Sequence, residues 1–201
     1  MTAFMDISTG AGLASSTGIR PYLPPLLAGA LARGDVGIDF DGTDFSFLES
    51  TAFLAAVLVL AVGAFLVERS AARRAAGTRR TARDPFDVLA GLIGMGLGAL
   101  LFAGALADNG HEVWVGLLFG PFCAVLGWIA IGGLIERVRT RLEADQAALL
   151  TVYADAAALI LAAIAIFVPP LALLAIPGFV LLLMGGRRRE GEKYAGLRIL
   201  R

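Results

Sequence analysis

The chain has 201 residues, 58% of them hydrophobic and only 17% charged, with equal numbers of basic and acidic residues and no net charge. A soluble fold of this size cannot hide so much apolar surface from water, whereas a bilayer accepts it. The zero net charge excludes a global field for nucleic acid, and a lone cysteine, Cys123, excludes an intramolecular disulfide.

Taken in chain order, the composition predicts an all-α polytopic membrane bundle of about six transmembrane helices. No Lys or Arg precedes Arg20, so the start lacks the charged opening of a secretory leader and is read as mature protein. The first hydrophobic segment, 7–31, is broken: it contains Ser15, Ser16, Thr17, Arg20, Pro21, Pro24 and Pro25. The next four, 47–67, 86–107, 113–135 and 147–168, are clearer. The sixth, 171–184, is short for a span of roughly 20 residues and is separated from the fifth by Pro169-Pro170, which suits a tight hairpin. Residues 1–185 form the transmembrane unit and 186–201 a basic tail.

The charges set an orientation. Fifteen of the seventeen basic residues fall at 69–83, 137–141 and 187–201. The intervening loops hold Asp35, Asp39, Asp41, Asp44 and Glu49, then Asp108 and Glu112. Cationic loops stay cytoplasmic during insertion. With six crossings this places both termini inside a bacterial cytoplasmic membrane. The tail GGRRREGEKYAGLRILR obeys the same rule and can meet anionic headgroups, so membrane lipids are expected partners.

Residues 56–73 align without gaps to 124–141, with seven of eighteen positions identical, among them Leu66/Leu134, Glu68/Glu136, Arg69/Arg137 and Arg73/Arg141. The same offset places Asp87 on Asp155. One reading is a parallel repeat of helices 2–3 as 4–5. A rival sees inverted halves, because Arg20-Pro21-Tyr22 and Gly120-Pro121-Phe122 both interrupt a span.

Chemistry-bearing residues are few. Asp155 lies about eight residues, or roughly 12 Å, into the fifth span. A carboxylate there costs several kcal/mol (on the order of 3) unless paired or hydrated, so it faces the bundle interior, with Thr151 one turn earlier. Asp87 opens the third span, where the helix dipole alone explains an acid. Glu68 and Glu136 each end a span and precede an Arg, as local ion pairs or as gates at the inner mouth. Arg20 sits where the backbone must leave helical geometry, and such breaks are tolerated only inside protein or along a water-filled cavity. Arg20 thus either binds an anionic group or neutralises Asp155. Gly94 and Gly98, extended by Gly91, Gly96 and Ala99, form a small-residue face for helix packing. The loop GDVGIDFDGTDF departs from EF-hand spacing and reads as a solvated turn, and His111 is a single imidazole, so no metal site is expected. No triad, phosphate loop, HExxH or CxxC appears, so no catalytic residues, cofactor or enzymatic activity is expected.

GAGLASSTGIRPYLPPLLAGALAR, followed by an acidic loop and a span ending Val67-Glu68, resembles the start of bacterial domain-of-unknown-function family 4126. The later Gly-rich span, Arg stretch and early acid (Tyr153-Ala154-Asp155) are similar too, so the likeness covers roughly 9–185. It implies an integral membrane protein without an assigned activity and supplies no functional residues. The short connection between the fourth and fifth segments departs from that pattern, lacking its Asn-Thr-Ser-Pro type of turn.

The resulting expectation is a small transporter or channel for a small solute or ion, coupled to protons or cations through intramembrane carboxylates. Its path would hold Arg20, Asp155, Asp87, Glu68, Glu136 and Thr151, with breaks at Pro21, Tyr22, Gly120 and Pro121. Six short spans enclose little interior, so a homo-oligomer, a dimer first, is expected. The alternative is a non-catalytic membrane scaffold or lipid-interacting protein, in which Arg20 and Asp155 pair.

Overall fold

The structure is a computed structural model that describes residues 3–74, 85–139 and 144–195. Among them there are helices and no strands: α1 (Ala3–Ile19), α2 (Leu23–Ala32), a 3-10 turn (Ser46–Glu49), α3 (Thr51–Arg74), α4 (Pro85–Ala107), α5 (Val113–Arg139), α6 (Ala144–Phe167), α7 (Pro169–Ala172) and α8 (Ala175–Ala195). Among the described residues, four stretches are long and apolar enough to cross a membrane: Thr51–Glu68, Phe86–Ala107, Val113–Ile135 and Leu149–Phe167.

The centre of the bundle is α1. Small residues line it on every side, and α4, α5, α6, α7 and α8 all pack against it. Because helices in lipid gain little from apolar association, close backbone approach is what holds them. Gly94 and Gly98 of α4 rest on Thr17, while Gly18 meets the Ala124 carbonyl of α5. Three of the hydroxyls that this core buries are satisfied locally. Ser8 donates to the Phe4 carbonyl, Ser16 to Leu13 and Thr17 to Ala14, at 2.6–2.7 Å. Thr17 Oγ1 also reaches the Gly94 carbonyl at 3.1 Å, tying α1 to α4.

Pro21 restricts Arg20 to non-helical backbone and α1 ends there; Pro24 and Pro25 then occupy the first turn of α2, where a missing N–H costs nothing. The chain does not continue across. It reverses at Arg20-Pro21-Tyr22, and α2 returns to the end from which α1 started. Asp6, near the start of α1, touches Asn109 and His111 in the α4–α5 connection. Arg33, just after α2, donates to Thr51 Oγ1 at 2.6 Å. Gly37 lies on Ile166, and the Phe40 ring on Gly104. Residues 7–31 are therefore a helical hairpin and not one crossing. The expected break is present, but the stop before Pro21, followed at once by a new helix that Pro24 and Pro25 open, turns it into a reversal.

This reversal removes the ground for counting residues 7–31 as one crossing. The start of α1 now lies at the acidic end with Asp39, Glu49 and Asp108, opposite the ends of α3, α5 and α8 that lead into the basic stretches. The expectation of two termini on one side rested on that crossing and loses its basis.

A second correction concerns Gly120 and Pro121. The helix α5 runs unbroken with Pro121 inside it. A proline in a long membrane helix removes one backbone hydrogen bond without ending it. Gly120 serves instead to admit the backbone of Ala99 from α4. Helix α8 likewise continues to Ala195, so the boundary at 185 between bundle and tail falls within a helix. Pro169-Pro170 open the single turn α7, and α8 follows, as a tight reversal.

Apart from the others stands α3. Among the described residues only α2 and the 3-10 turn pack on it to any extent, and 6% of its apolar stretch is buried. Val59, Phe65 and Leu66 face outward. Such a surface is unsustainable in water and natural in lipid.

Candidate functional site

The tip of the hairpin carries the one basic side chain that the fold encloses among the described residues. Arg20 Nε lies 2.6 Å from Asp155 Oδ1 of α6, and Nη1 donates to Glu68 Oε1 of α3 at 2.8 Å. Nη2 points at the Thr151 carbonyl at 3.5 Å. The Arg20 side chain is 19% exposed and each acid 35%, so the cluster is half-sheltered. A planar guanidinium suits this task, because its donors fork toward partners on different helices where an ammonium would act as a point charge. With two carboxylates on one cation, the cluster carries a formal charge of −1. Glu68 lies 17 residues beyond Thr51, about 25 Å along α3, which places the cluster toward the basic end.

Of the residues expected to form a path, the structure brings together Arg20, Glu68 and Asp155, with Pro21 and Tyr22 at the turn beside them. Thr151 takes part through its carbonyl and not its hydroxyl. Asp87 is not in the cluster. It is exposed in the first turn of α4, where the helix dipole accounts for it. The Glu136 side chain lies outside the described residues. Cys123 is buried against Ala11, Ala14 and Phe102, as a packing residue.

A second polar cluster escaped sequence reasoning. Asp6 is 3% exposed; Asn109 Nδ2 donates to its Oδ1 at 3.1 Å, and His111 Nε2 stands 3.1 Å from its Oδ2. It fastens the start of the central hairpin to the α4–α5 connection. The signal was an acid at the head of an otherwise uncharged helix. It pairs with His111 only once both lie at the same end of the bundle.

The acidic loop is also more organised than a solvated turn. One carboxylate oxygen each of Asp39, Asp41 and Glu49 lies within 4.8 Å of the others. Burial, followed by a hydrogen bond and charge repulsion from Asp41, pushes Glu49 up to about 7. A proton shared by Glu49 and Asp41 explains their approach without an ion. The sign of its linkage follows. Glu49 binds its proton more tightly folded than unfolded, so its contribution is full below about pH 4.5 and is lost as pH rises through about 7. Thermal unfolding in detergent is expected to show stability falling across that interval, and Glu49→Gln is expected to flatten the slope.

Comparison with protein-family models, with curated proteins and with solved structures finds no match to this chain.

Proposed function

We propose that the protein is a small membrane transporter or channel for a small solute or ion, in which the α1–α2 hairpin enters the bilayer from one side and carries an ionic gate at its tip. The observation that supports this most is a single guanidinium, at a proline-broken turn, held by acids from two other helices. Hairpins that enter and leave by one face expose helix ends and freed carbonyls at membrane depth, and intramembrane ion pairs mark conduction and coupling sites. Opening requires Arg20 to leave both Glu68 and Asp155.

The bilayer is the cytoplasmic membrane of a bacterium, with the basic connections inside. On this reading the start of the chain lies outside and the basic tail inside. In a Cys123→Ser background, Phe4→Cys is expected to react with a membrane-impermeant maleimide added outside. Thr78→Cys, in the basic connection, is expected to react only after permeabilisation. The reverse pattern overturns this orientation. Lipid, and a second copy of the chain, are the partners that this reading assigns to the bare face of α3.

In liposomes, wild type is expected to pass small ions or solutes above the empty-vesicle background. Asp155→Asn is expected to change that flux by about tenfold or more, corresponding to about 1.4 kcal/mol in the gate. Equal flux through both proteins overturns the proposal.

The pairing of Arg20 with Asp155 favours a second reading, a non-catalytic scaffold in which the cluster pins α3 to the bundle. It predicts no flux in either protein and a loss of stability in the variant.

A further inference from the structure

We infer that the ion taken up at the Arg20 cluster is a proton and not a metal cation, because the guanidinium fills the position between Glu68 and Asp155 that a metal would occupy. The inference rests on the transport reading above, to which it adds the coupling ion.

Among the described residues the charges around the cluster are few. The hairpin contributes Arg20 and, in the field of Glu68, the buried Tyr22. Helix α3 contributes Glu68, and α6 contributes Asp155 and the Thr151 carbonyl, while Tyr153 is 70% exposed. From α4, Gly94 faces the hairpin at Thr17, and Asp87 is exposed in the first turn. From α5, Ala124 and Trp128 lie against Gly18. Among the described residues, Arg20 alone therefore offsets two carboxylates, and one negative charge is left over in a half-sheltered place.

A metal cation could answer that charge only by sitting against oxygens already held 2.6 and 2.8 Å from guanidinium nitrogens. Two positive charges about 4 Å apart repel by about 4 kcal/mol at the effective dielectric of a partly exposed site. A hard cation also needs about six oxygen ligands, and the cluster offers two carboxylates and one carbonyl that faces Arg20. A proton meets neither obstacle. Arriving from water at the exposed edge, it forms one O–H bond on a carboxylate oxygen and brings the cluster from −1 to 0. Only the ion pair to that acid is weakened, and Arg20 keeps the other. A second proton frees Arg20 altogether, which opens the gate.

Infrared titration of the full chain in lipid nanodiscs reads this directly. As pH falls, a protonated-carboxyl C=O band is expected to grow, and Glu68→Gln and Asp155→Asn are each expected to remove one carboxyl from it. Replacing choline with sodium or potassium at equal ionic strength is expected to leave the titration unmoved. A titration displaced by sodium or potassium, or a band undiminished in both variants, overturns the inference. Should Asp155→Asn fail to fold, Glu68→Gln, on the peripheral helix, carries the same test. Proton uptake at the pair without flux in liposomes keeps the assignment of the ion and removes the transport reading. Flux driven by a sodium gradient and indifferent to pH does the opposite.

Discussion

Replacing Arg20 with glutamine is expected to destabilise the protein by about 1–3 kcal/mol, well beyond the effect of removing either of its acids. Removing one partner of a buried ion pair costs about 3–5 kcal/mol, because the other charge is stranded. The partial exposure of this cluster, 19% for Arg20 and 35% for each acid, reduces that figure. The asymmetry comes from stoichiometry. Glu68→Gln or Asp155→Asn leaves Arg20 with one full partner and brings the net charge to zero, so each is expected to cost about 1 kcal/mol or less. Arg20→Gln leaves two like charges facing each other with nothing between them. Arg20→Lys keeps a charge but loses the fork that spans two helices, and is expected to fall between.

The place of failure is expected to be α3, which has little else to hold it. Unfolding in graded denaturing detergent, followed by proteolysis of α3 and by loss of overall helicity, separates release of that helix from collapse of the bundle. Lowering the pH neutralises the stranded acids, so Arg20→Gln should regain stability relative to wild type in acid. If Arg20→Gln is no less stable than Glu68→Gln at neutral pH, the cluster is not organised around its cation.

How much of this was legible in the sequence depended on whether the governing rule is local. Hydropathy is, and the four long apolar stretches lie where it put them, at Thr51–Glu68, Phe86–Ala107, Val113–Ile135 and Leu149–Phe167. The alternatives weighed for Arg20 included pairing with Asp155, because an intramembrane charge needs a partner and few were available. The hairpin was not legible. Proline content at 21, 24 and 25 announces a break, but whether the chain crosses or returns depends on what packs against α2, and those contacts come from Leu48, Leu54 and Thr51, far along the sequence. The error spread in a predictable way. With the start of the chain assigned to the basic side, Asp6 and His111 stood at opposite faces of the bilayer, and their contact could not be considered. The Arg pattern does not depend on the hairpin, because the fifteen basic residues at 69–83, 137–141 and 187–201 all lie beyond the first segment. Gly120-Pro121 misled for the opposite reason. The same dipeptide chemistry that breaks a helix in water is tolerated in a membrane helix, where neighbours resatisfy the backbone.

Gly18→Ala is the sharper test of how the hairpin is held, and it is expected to cost about 3 kcal/mol, at the upper end of what overpacking does. A Cβ built on Gly18 runs into the carbonyl of Ala124 and lies 2.9 Å from the backbone nitrogen of Trp128. These are backbone atoms of α5, with no rotamer to move away, so the two helices must part. Gly10 is a different case, since its added methyl meets the ring of Phe102, a side chain and not backbone. Gly98 is intermediate, because its obstacle is Thr17 Oγ1 at 2.7 Å, a hydroxyl already engaged by the Ala14 and Gly94 carbonyls. The controls lie in the same chain. Nothing stands within 4 Å of a methyl at Gly63 or Gly96, so Gly63→Ala and Gly96→Ala are expected to gain up to about 1 kcal/mol from helix propensity alone. The ordering therefore runs from gain to severe loss across one substitution type. It separates close backbone packing from any general intolerance of the bundle toward alanine. Equal stability of Gly18→Ala and Gly96→Ala would mean that α1 does not lie in the groove between α4 and α5, and the tip that carries Arg20 would have no fixed place against Glu68 and Asp155.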